Sequence, residues 1–132
     1  MTHTAPALSR SFPALPGSVP EVRGAVTAFA RSVGVTDDTL ESVRLAVTEA
    51  VTNAVVHAYV ECDRVGDIRV EAWIGEELLH VRVSDSGRGM LPRLDSPGLG
   101  LGLPLIARCV ESLDVESADS GGTSVEMTFR LI

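Results

Sequence analysis

One segment constrains the fold more than any other: residues 45–59, with the sequence LAVTEAVTNAVVHAY. One side of this segment carries apolar residues at helical spacing, which predicts a helix packed on a core. That side consists of Val47, Ala50, Val51, Ala54 and Ala58, and Val43 extends it just before the segment begins. Glu49, Asn53 and His57 lie four residues apart, so they stack on a different face of the helix.

Apolar residues flank this polar face, namely Leu45, Val56 and Val60. A carboxylate and an amide in such a setting need partners, because an unpaired polar group costs several kcal/mol when it is buried. The helix alone leaves two interpretations open. Glu49 and Asn53 either hydrogen-bond to a neighbouring loop or helix, or they contact a ligand. We interpret His57 as a local hydrogen-bonding partner.

Length and composition limit the class of protein. The 132 residues are enough for one domain with its own core. A net charge of −7 argues against partners such as nucleic acid or an anionic membrane, which require a basic patch. Cys62 and Cys109 are too few for a disulfide framework and suit a reducing compartment. The sequence also lacks a long apolar run and a signal pattern, so we expect a cytoplasmic protein.

Apolar periodicity divides the chain into a series of elements. Residues 1–6 are predicted to be a disordered tail, and residues 7–132 a single domain. We expect an edge strand at 7–15, a helix at 20–33, and a long helix capped by Thr36 or Asp38. Strands at 67–74 and 77–85, a helix at 103–113, and strands at 113–118 and 123–132 follow. This order predicts an α+β two-layer sandwich, with helices on one face of a mostly antiparallel mixed sheet.

Three local details are predicted from the same sequence pattern. Asp38 with Glu41 three residues later resembles a capping box at the start of the long helix. Gly75 and Glu76 are predicted to form the turn between two strands. His80 lies on the non-core phase of its strand, so we expect a solvated side chain.

A first glycine-rich stretch, DSGRGM, directly follows a predicted strand. Its first residue, Asp85, is placed to accept a hydrogen bond from a ligand amine. Gly87 and Gly89 would let the backbone approach a flat ring closely. Taken alone, this stretch is also compatible with an ordinary turn.

A second glycine-rich stretch contains Gly98, Gly100 and Gly102 and opens a predicted helix. Free backbone N–H groups at a helix N-terminus favour anions, which suits a polyphosphate, although a flexible loop is the simpler interpretation. The chain has no lysine, so the lysine-bearing phosphate loop is excluded. Phosphate charge would then be met by backbone, arginine and a divalent ion. Mg²⁺ needs few protein ligands, and the Asn53 amide oxygen would be enough.

The motifs become far more specific when they are taken together. E-x-x-x-N on a helix, D-x-G-x-G after a strand, G-x-G-x-G before a helix and Gly122-Thr123 before a strand occur in this order. The chain thereby resembles the histidine kinase-like ATPase superfamily, which sensor kinases, type II topoisomerases and a class of chaperones share. LAVTEAVTNAVVHAY is very similar to the corresponding helix of the small bacterial anti-sigma factor serine kinases. The resemblance extends from about residue 8 to residue 132 and implies a Bergerat-type ATP-binding fold.

The resemblance also implies a role for each motif residue. Glu49 is expected to be the general base of phosphoryl transfer, and Asn53 to ligate Mg²⁺. Asp85 is expected to bind the adenine amino group, and Thr123 to help hold the adenine. The glycines are expected to shape the adenine pocket (Gly87 and Gly89) and the phosphate-contacting loop (Gly98, Gly100 and Gly102).

At the level of function, the resemblance implies an ATP-dependent protein serine kinase that forms a homodimer. It would bind a sigma factor and phosphorylate a small anti-sigma-factor antagonist protein. Only residues 91–97 separate the two glycine loops, where many relatives carry a longer lid. A short lid excludes water less well, so a nucleotide-binding interaction module with little or no kinase activity is the alternative. The catalytic domain of a two-component sensor kinase is disfavoured, because the sequence has no phosphoacceptor-histidine helix.

Overall fold

The computed structural model of the chain describes residues 7–57, 66–85, 102–117 and 122–131. Within these ranges the elements follow the predicted order. They are β1 (Leu8–Pro13), α1 (Ser18–Ser32), α2 (Asp37–His57), β2 (Asp67–Gly75), β3 (Leu78–Asp85), α3 (Gly102–Cys109), β4 (Ser112–Ser117) and β5 (Thr123–Arg130). In this part of the chain, no helix has both the length and the hydropathy that crossing a bilayer requires. The predicted tail, residues 1–6, lies outside the described residues.

The strands form one sheet in the order β1–β2–β3–β5–β4. All four pairings between described strands are antiparallel. α2 is the central helix: it packs against α1 and α3, and against β3 and β5 of the sheet. This arrangement confirms the predicted α+β two-layer sandwich.

The core lies between the helices and one face of the sheet. Strands β2 and β3 bury alternate residues, as their period predicts: Ile68, Val70, Ala72, Leu79, Val81 and Val83. Helix α2 buries the described part of the apolar side that its spacing predicts, with Ala46 in addition, and Ala58 lies outside the described residues. Full burial of a valine or leucine side chain contributes about 1.5–3 kcal/mol. This side of α2 is therefore committed to the core, and the face that carries Glu49 is left for other contacts.

Helix α1 begins at Ser18, two residues before the predicted start. Pro20 is tolerated there because the N–H groups of a first turn have no partner within the helix. The helix ends at Ser32, one residue before the predicted end, and Gly34 follows with a φ of 84°, which favours glycine. The N–H of Val35 reaches back to the carbonyl oxygen of Ala30 at 3.4 Å, which closes the end in the manner of a Schellman motif.

Thr36 is the residue that caps α2. Its Oγ1 accepts a hydrogen bond from the backbone N–H of Thr39 at 3.1 Å. Asp38 lies inside the first turn, where its charge favours the helix dipole. The predicted capping box of Asp38 with Glu41 is therefore wrong. Glu41 instead lies 3.7 Å from the guanidinium of Arg44, one turn further along the helix.

The β2–β3 turn consists of Glu76 and Glu77, one residue later than predicted. Both have positive φ, 55° and 63°, as in a type I′ turn. This turn matches the twist of the two strands, so strand pairing outweighs the poor fit of glutamate to left-handed backbone. Gly75, which we expected in the turn, is the last residue of β2.

Helix α3 ends at Cys109, four residues before the predicted end. The N–H of Glu111 donates to the carbonyl oxygen of Thr128 at 2.7 Å, which draws the chain into the sheet. Leu113 is then the second residue of β4 and lies opposite Met127. Pairing with β5 therefore overrides a helical spacing that is locally plausible.

The second face of the sheet carries no helix among the described residues, and we call it the open face. His80 lies on this face, as its phase predicts, but it is not solvated: its side chain is only 16% exposed. Its ring stacks on Trp73 of the neighbouring strand. The prediction of a solvated histidine is therefore wrong, because an aromatic residue on β2 covers it.

Candidate functional site

The first part of the candidate site is one turn of α2. Glu49 and Asn53 are both half-buried and lie four residues apart, which is about 6 Å along a helix axis. Neither side chain hydrogen-bonds or pairs with another described residue. Of the two interpretations left open by the sequence, the bond to a neighbouring helix or loop has no support among the described residues. Within the described part of the chain, the carboxylate and the amide oxygen are therefore available to a ligand.

The surface around this turn is open. Leu45 and Val56, which flank the polar face, are 41% and 49% exposed. Both point to the same side of α2 as Glu49, since they lie four residues before it and seven after it. A charged residue flanked by accessible apolar side chains is well placed to meet another molecule.

The second part of the candidate site is a pair of residues at one end of the sheet. Asp85 is the last residue of β3 and Thr123 the first of β5, and the two lie directly opposite each other. Opposed residues on neighbouring strands have Cβ atoms about 4.5–5.5 Å apart. Gly122, just before Thr123, is buried and has a φ of 101°, which favours glycine. The register therefore brings together two residues that are far apart in the sequence.

The fold connects the two parts. α2 packs on both β3 and β5, so the helix with Glu49 and Asn53 lies against the strands that carry Asp85 and Thr123. Gly102 is the first residue of α3, which packs on α2. The remaining predicted contacts lie outside the described residues: Gly87, Gly89, Gly98 and Gly100, the segment 91–97, and the side chain of His57.

The oxygen atoms available at this site fit a magnesium ion better than a metal ion that needs three or more protein ligands. No group of three or more histidine, cysteine or acidic residues that could hold a metal occurs among the described residues. Mg²⁺ typically keeps several waters and takes only one or two protein oxygens beside substrate phosphates. The accessible amide oxygen of Asn53, with the carboxylate of Glu49 one turn away, is compatible with that coordination.

A groove that the sequence did not predict adjoins Glu49. It has a volume of about 560 Å³ and is lined by residues of all three helices, among them Arg23, Leu45, Thr48 and Cys109. Arg23 of α1 donates to the hydroxyl of Thr48 on α2 at 3.4 Å, which holds its guanidinium over the groove. Because the lining comes from separate helices, no local pattern in the sequence could have indicated it.

Comparison with known proteins agrees with the motifs. Residues 12–129 match the family described as "Histidine kinase-like ATPase domain". The chain is 33% identical to an anti-sigma F factor of Caldanaerobacter subterraneus subsp. tengcongensis over 117 residues, which is 80% of each protein. It is 32% identical to an anti-sigma F factor of Clostridium perfringens (strain SM101) over 122 residues, 83% of this chain and 85% of the relative.

Solved structures with the same fold include two bacterial examples. The RsbU and RsbW domains of Rv1364c from Mycobacterium tuberculosis align with a TM-score of 0.74 at 23% identity, over 97% of this chain and 32% of that one. The SiaB–SiaC complex from Pseudomonas aeruginosa aligns with a TM-score of 0.70 at 13% identity, over 95% of this chain and 90% of that one. At these identities the similarity supports the fold alone.

Proposed function

Because the chain belongs to the histidine kinase-like ATPase domain family, we propose that it is an ATP-dependent protein serine kinase that acts as an anti-sigma regulatory factor. Its substrate is a small anti-sigma-factor antagonist protein. The chain binds Mg-ATP and transfers the γ-phosphate to a serine hydroxyl of that protein. Two curated anti-sigma F factors, similar over most of their length, support this assignment.

The observation that carries the proposal is the state of Glu49 and Asn53. Half-buried polar side chains of a helix find hydrogen-bond partners within the fold, in water or in a ligand. These two have none among the described residues, and they face an open surface. A bound nucleotide, its metal ion and a protein substrate would supply the missing partners.

Each residue has a distinct role in the proposed reaction. Glu49 accepts the proton of the attacking serine hydroxyl, which makes the oxygen a better nucleophile. Asn53 ligates the Mg²⁺ ion, whose charge offsets that of the phosphates. Asp85 accepts a hydrogen bond from the adenine amino group, and Thr123, opposite it on β5, helps to hold the ring. Gly102, with the glycines before it, contacts the phosphates through backbone N–H groups at the start of α3.

The groove beside Glu49 supports a protein substrate in particular. It is continuous with the exposed side of α2, and its lining includes Thr48, the residue before Glu49. A polypeptide segment lying there would bring a serine close to the carboxylate. A small-molecule acceptor would have no need of so open a surface.

The short segment 91–97 favours a second candidate function, a nucleotide-binding interaction module with little or no kinase activity. Seven residues with two prolines cannot close over a triphosphate as a separate flap, so water would enter the site. In this alternative, ATP controls only which partner the protein binds. Under either function we propose a cytoplasmic homodimer that also binds a sigma factor.

One experiment separates the two functions. The protein is incubated with labelled ATP, Mg²⁺ and candidate antagonist proteins, and the products are analysed for phosphoserine. Labelled phosphoserine on an antagonist supports the kinase. Tight, nucleotide-dependent binding of the antagonist without transfer supports the interaction module.

A further inference from the structure

The open face of the sheet holds His80 in a defined orientation. Its ring stacks on the indole of Trp73, with centroids 5.0 Å apart and planes at 12°. Its Nε2 lies 3.1 Å from the backbone oxygen of Gly75. Because a carbonyl oxygen only accepts hydrogen bonds, Nε2 carries the proton of the neutral ring. Nδ1 then has no proton, and its lone pair can only accept a hydrogen bond.

This second ring nitrogen lacks a hydrogen-bond partner among the described residues, although it is buried. The atom it faces is Oε2 of Glu126 on β5, at 3.6 Å. Two acceptors cannot form a hydrogen bond, so the neutral ring leaves Nδ1 unsatisfied. The other carboxylate oxygen, Oε1, already accepts from the Arg82 guanidinium at 3.0 Å.

Charged groups surround His80 on every neighbouring element of this face. They are Arg69 and Glu71 on β2, Glu76 and Glu77 in the turn, Arg82 on β3, Asp114 on β4, and Glu126 and Arg130 on β5. Besides its contact with Glu126, the Arg82 guanidinium lies 3.4 Å from the carboxylate of Glu71. Arg130 is engaged by Glu111 at 3.1 Å. The ion-pair network that reaches the ring runs from Arg69 through Glu71 and Arg82 to Glu126, and its member nearest Nδ1 is the Glu126 carboxylate.

We propose that His80 and Glu126 form a proton-operated latch on the open face of the sheet. Protonation of Nδ1 supplies the missing donor, so His80 donates to Oε2 of Glu126 while Arg82 keeps Oε1. The new bond ties β3 to β5 through side chains. It also brings a second cation to the indole of Trp73, whose ring centroid already lies 4.9 Å from the guanidinium carbon of Arg82.

Tryptophan fluorescence tests the latch directly, because Trp73 is the only tryptophan of the chain. Emission of the full-length protein is recorded between about pH 8 and pH 5, the range in which histidine changes charge. We expect a single-proton transition in which emission falls as His80 becomes a cation. His80→Gln should abolish the transition. Glu126→Gln should retain it but move its midpoint to lower pH, because the carboxylate no longer favours the cation.

Matched controls exclude other groups. His57→Gln removes a histidine of α2, which packs on the opposite face of the sheet, and should leave the transition unchanged. Circular dichroism at both ends of the range checks that each variant is folded. Nitrogen-15 spectra of the parent imidazole give a readout that needs no variant: the proton should reside on Nε2 above the transition, and on both nitrogens below it.

Three results would overturn the latch. The first is an unchanged fluorescence transition in folded His80→Gln. The second is an unchanged midpoint in folded Glu126→Gln, which would mean that the carboxylate does not meet the ring. The third is a nitrogen-15 spectrum of the parent protein that shows the proton of the neutral ring on Nδ1. Because this spectrum needs no variant, it tests the latch even if both variants fail to fold.

Discussion

The replacement of Asp85 by asparagine probes nucleotide recognition at a single atom. Asp85 is half-buried at the end of β3, opposite Thr123. Asparagine keeps the shape of the side chain but loses the charge, and it offers an NH₂ group where the carboxylate had a second acceptor oxygen. The substitution should therefore weaken the contact with the adenine amino group and leave the fold intact.

The size of the effect follows from the setting of the side chain. A hydrogen bond to a charged group contributes about 1.5–3 kcal/mol. Half-burial leaves some solvent screening, so we expect a value in the lower part of this range. The affinity for ATP should then fall about 10- to 40-fold, since about 1.4 kcal/mol corresponds to a factor of ten.

Isothermal titration calorimetry with Mg-ATP measures this change. Asp114→Asn is the matched control: Asp114 is an exposed aspartate in β4 on the open face, away from the candidate site. The control should bind like the parent, and GTP should compete poorly with ATP for the parent. Equal ATP affinity of folded Asp85→Asn and the parent would refute the assignment of Asp85 to the adenine.

Three further predictions concern the metal, the neighbouring loop and the hairpin. Asn53→Ala should weaken ATP binding in the presence of Mg²⁺ by about fivefold, for a contact of about 1 kcal/mol, and leave metal-free binding unchanged in calorimetry. Saturating Mg-ATP should increase protection from hydrogen exchange across residues 88–101, and unchanged exchange would mean that this segment does not contact the nucleotide. Glu76→Asn combined with Glu77→Gly should raise the free energy of unfolding by about 1–2 kcal/mol, because both positions have positive φ. A urea midpoint at or below that of the parent would contradict this.

The periodicity of apolar residues was sufficient to predict the elements whose tertiary contacts agree with their local sequence preference. The alternation in β2 and β3 correctly predicts which residues are buried, because each strand has one face on the core. The apolar side of α2 was predicted for the same reason. Gly34 follows the end of α1 because the left-handed backbone at this position favours glycine.

Tertiary contacts explain the failures. The predicted end of α3 was wrong because the N–H of Glu111 donates to a carbonyl oxygen of β5. The apolar spacing within the helix carries no information about this partner. The prediction that His80 is solvated was wrong because Trp73 and Glu126, which lie against its ring, come from two other strands. The cap of α2 was an ambiguity between Thr36 and Asp38, which only the observed hydrogen bond of Thr36 resolves.

The candidate site divides in the same way. Glu49 and Asn53 could be predicted as a pair, because four residues along a helix always bring side chains to one face. The pairing of Asp85 with Thr123 depends on the register of β3 and β5, which motif order suggested only through the family resemblance. The groove beside Glu49 required the packing of three helices.

The kinase assignment depends most on Glu49, and the comparison of Glu49→Ala with the parent tests it most directly. Phosphate transfer from labelled ATP to the antagonist protein and the affinity for Mg-ATP are measured on the same preparations. Asp114→Ala, at an exposed acidic residue of β4 that does not line the groove, is the control and should behave like the parent.

A general base lowers the barrier of the reaction and contributes little to binding of the ground state, with typical contributions of about 10²- to 10⁴-fold in rate. We therefore expect Glu49→Ala to bind Mg-ATP with nearly the parent affinity and to lose transfer by about that factor. Transfer by Glu49→Ala at the parent rate would contradict the account.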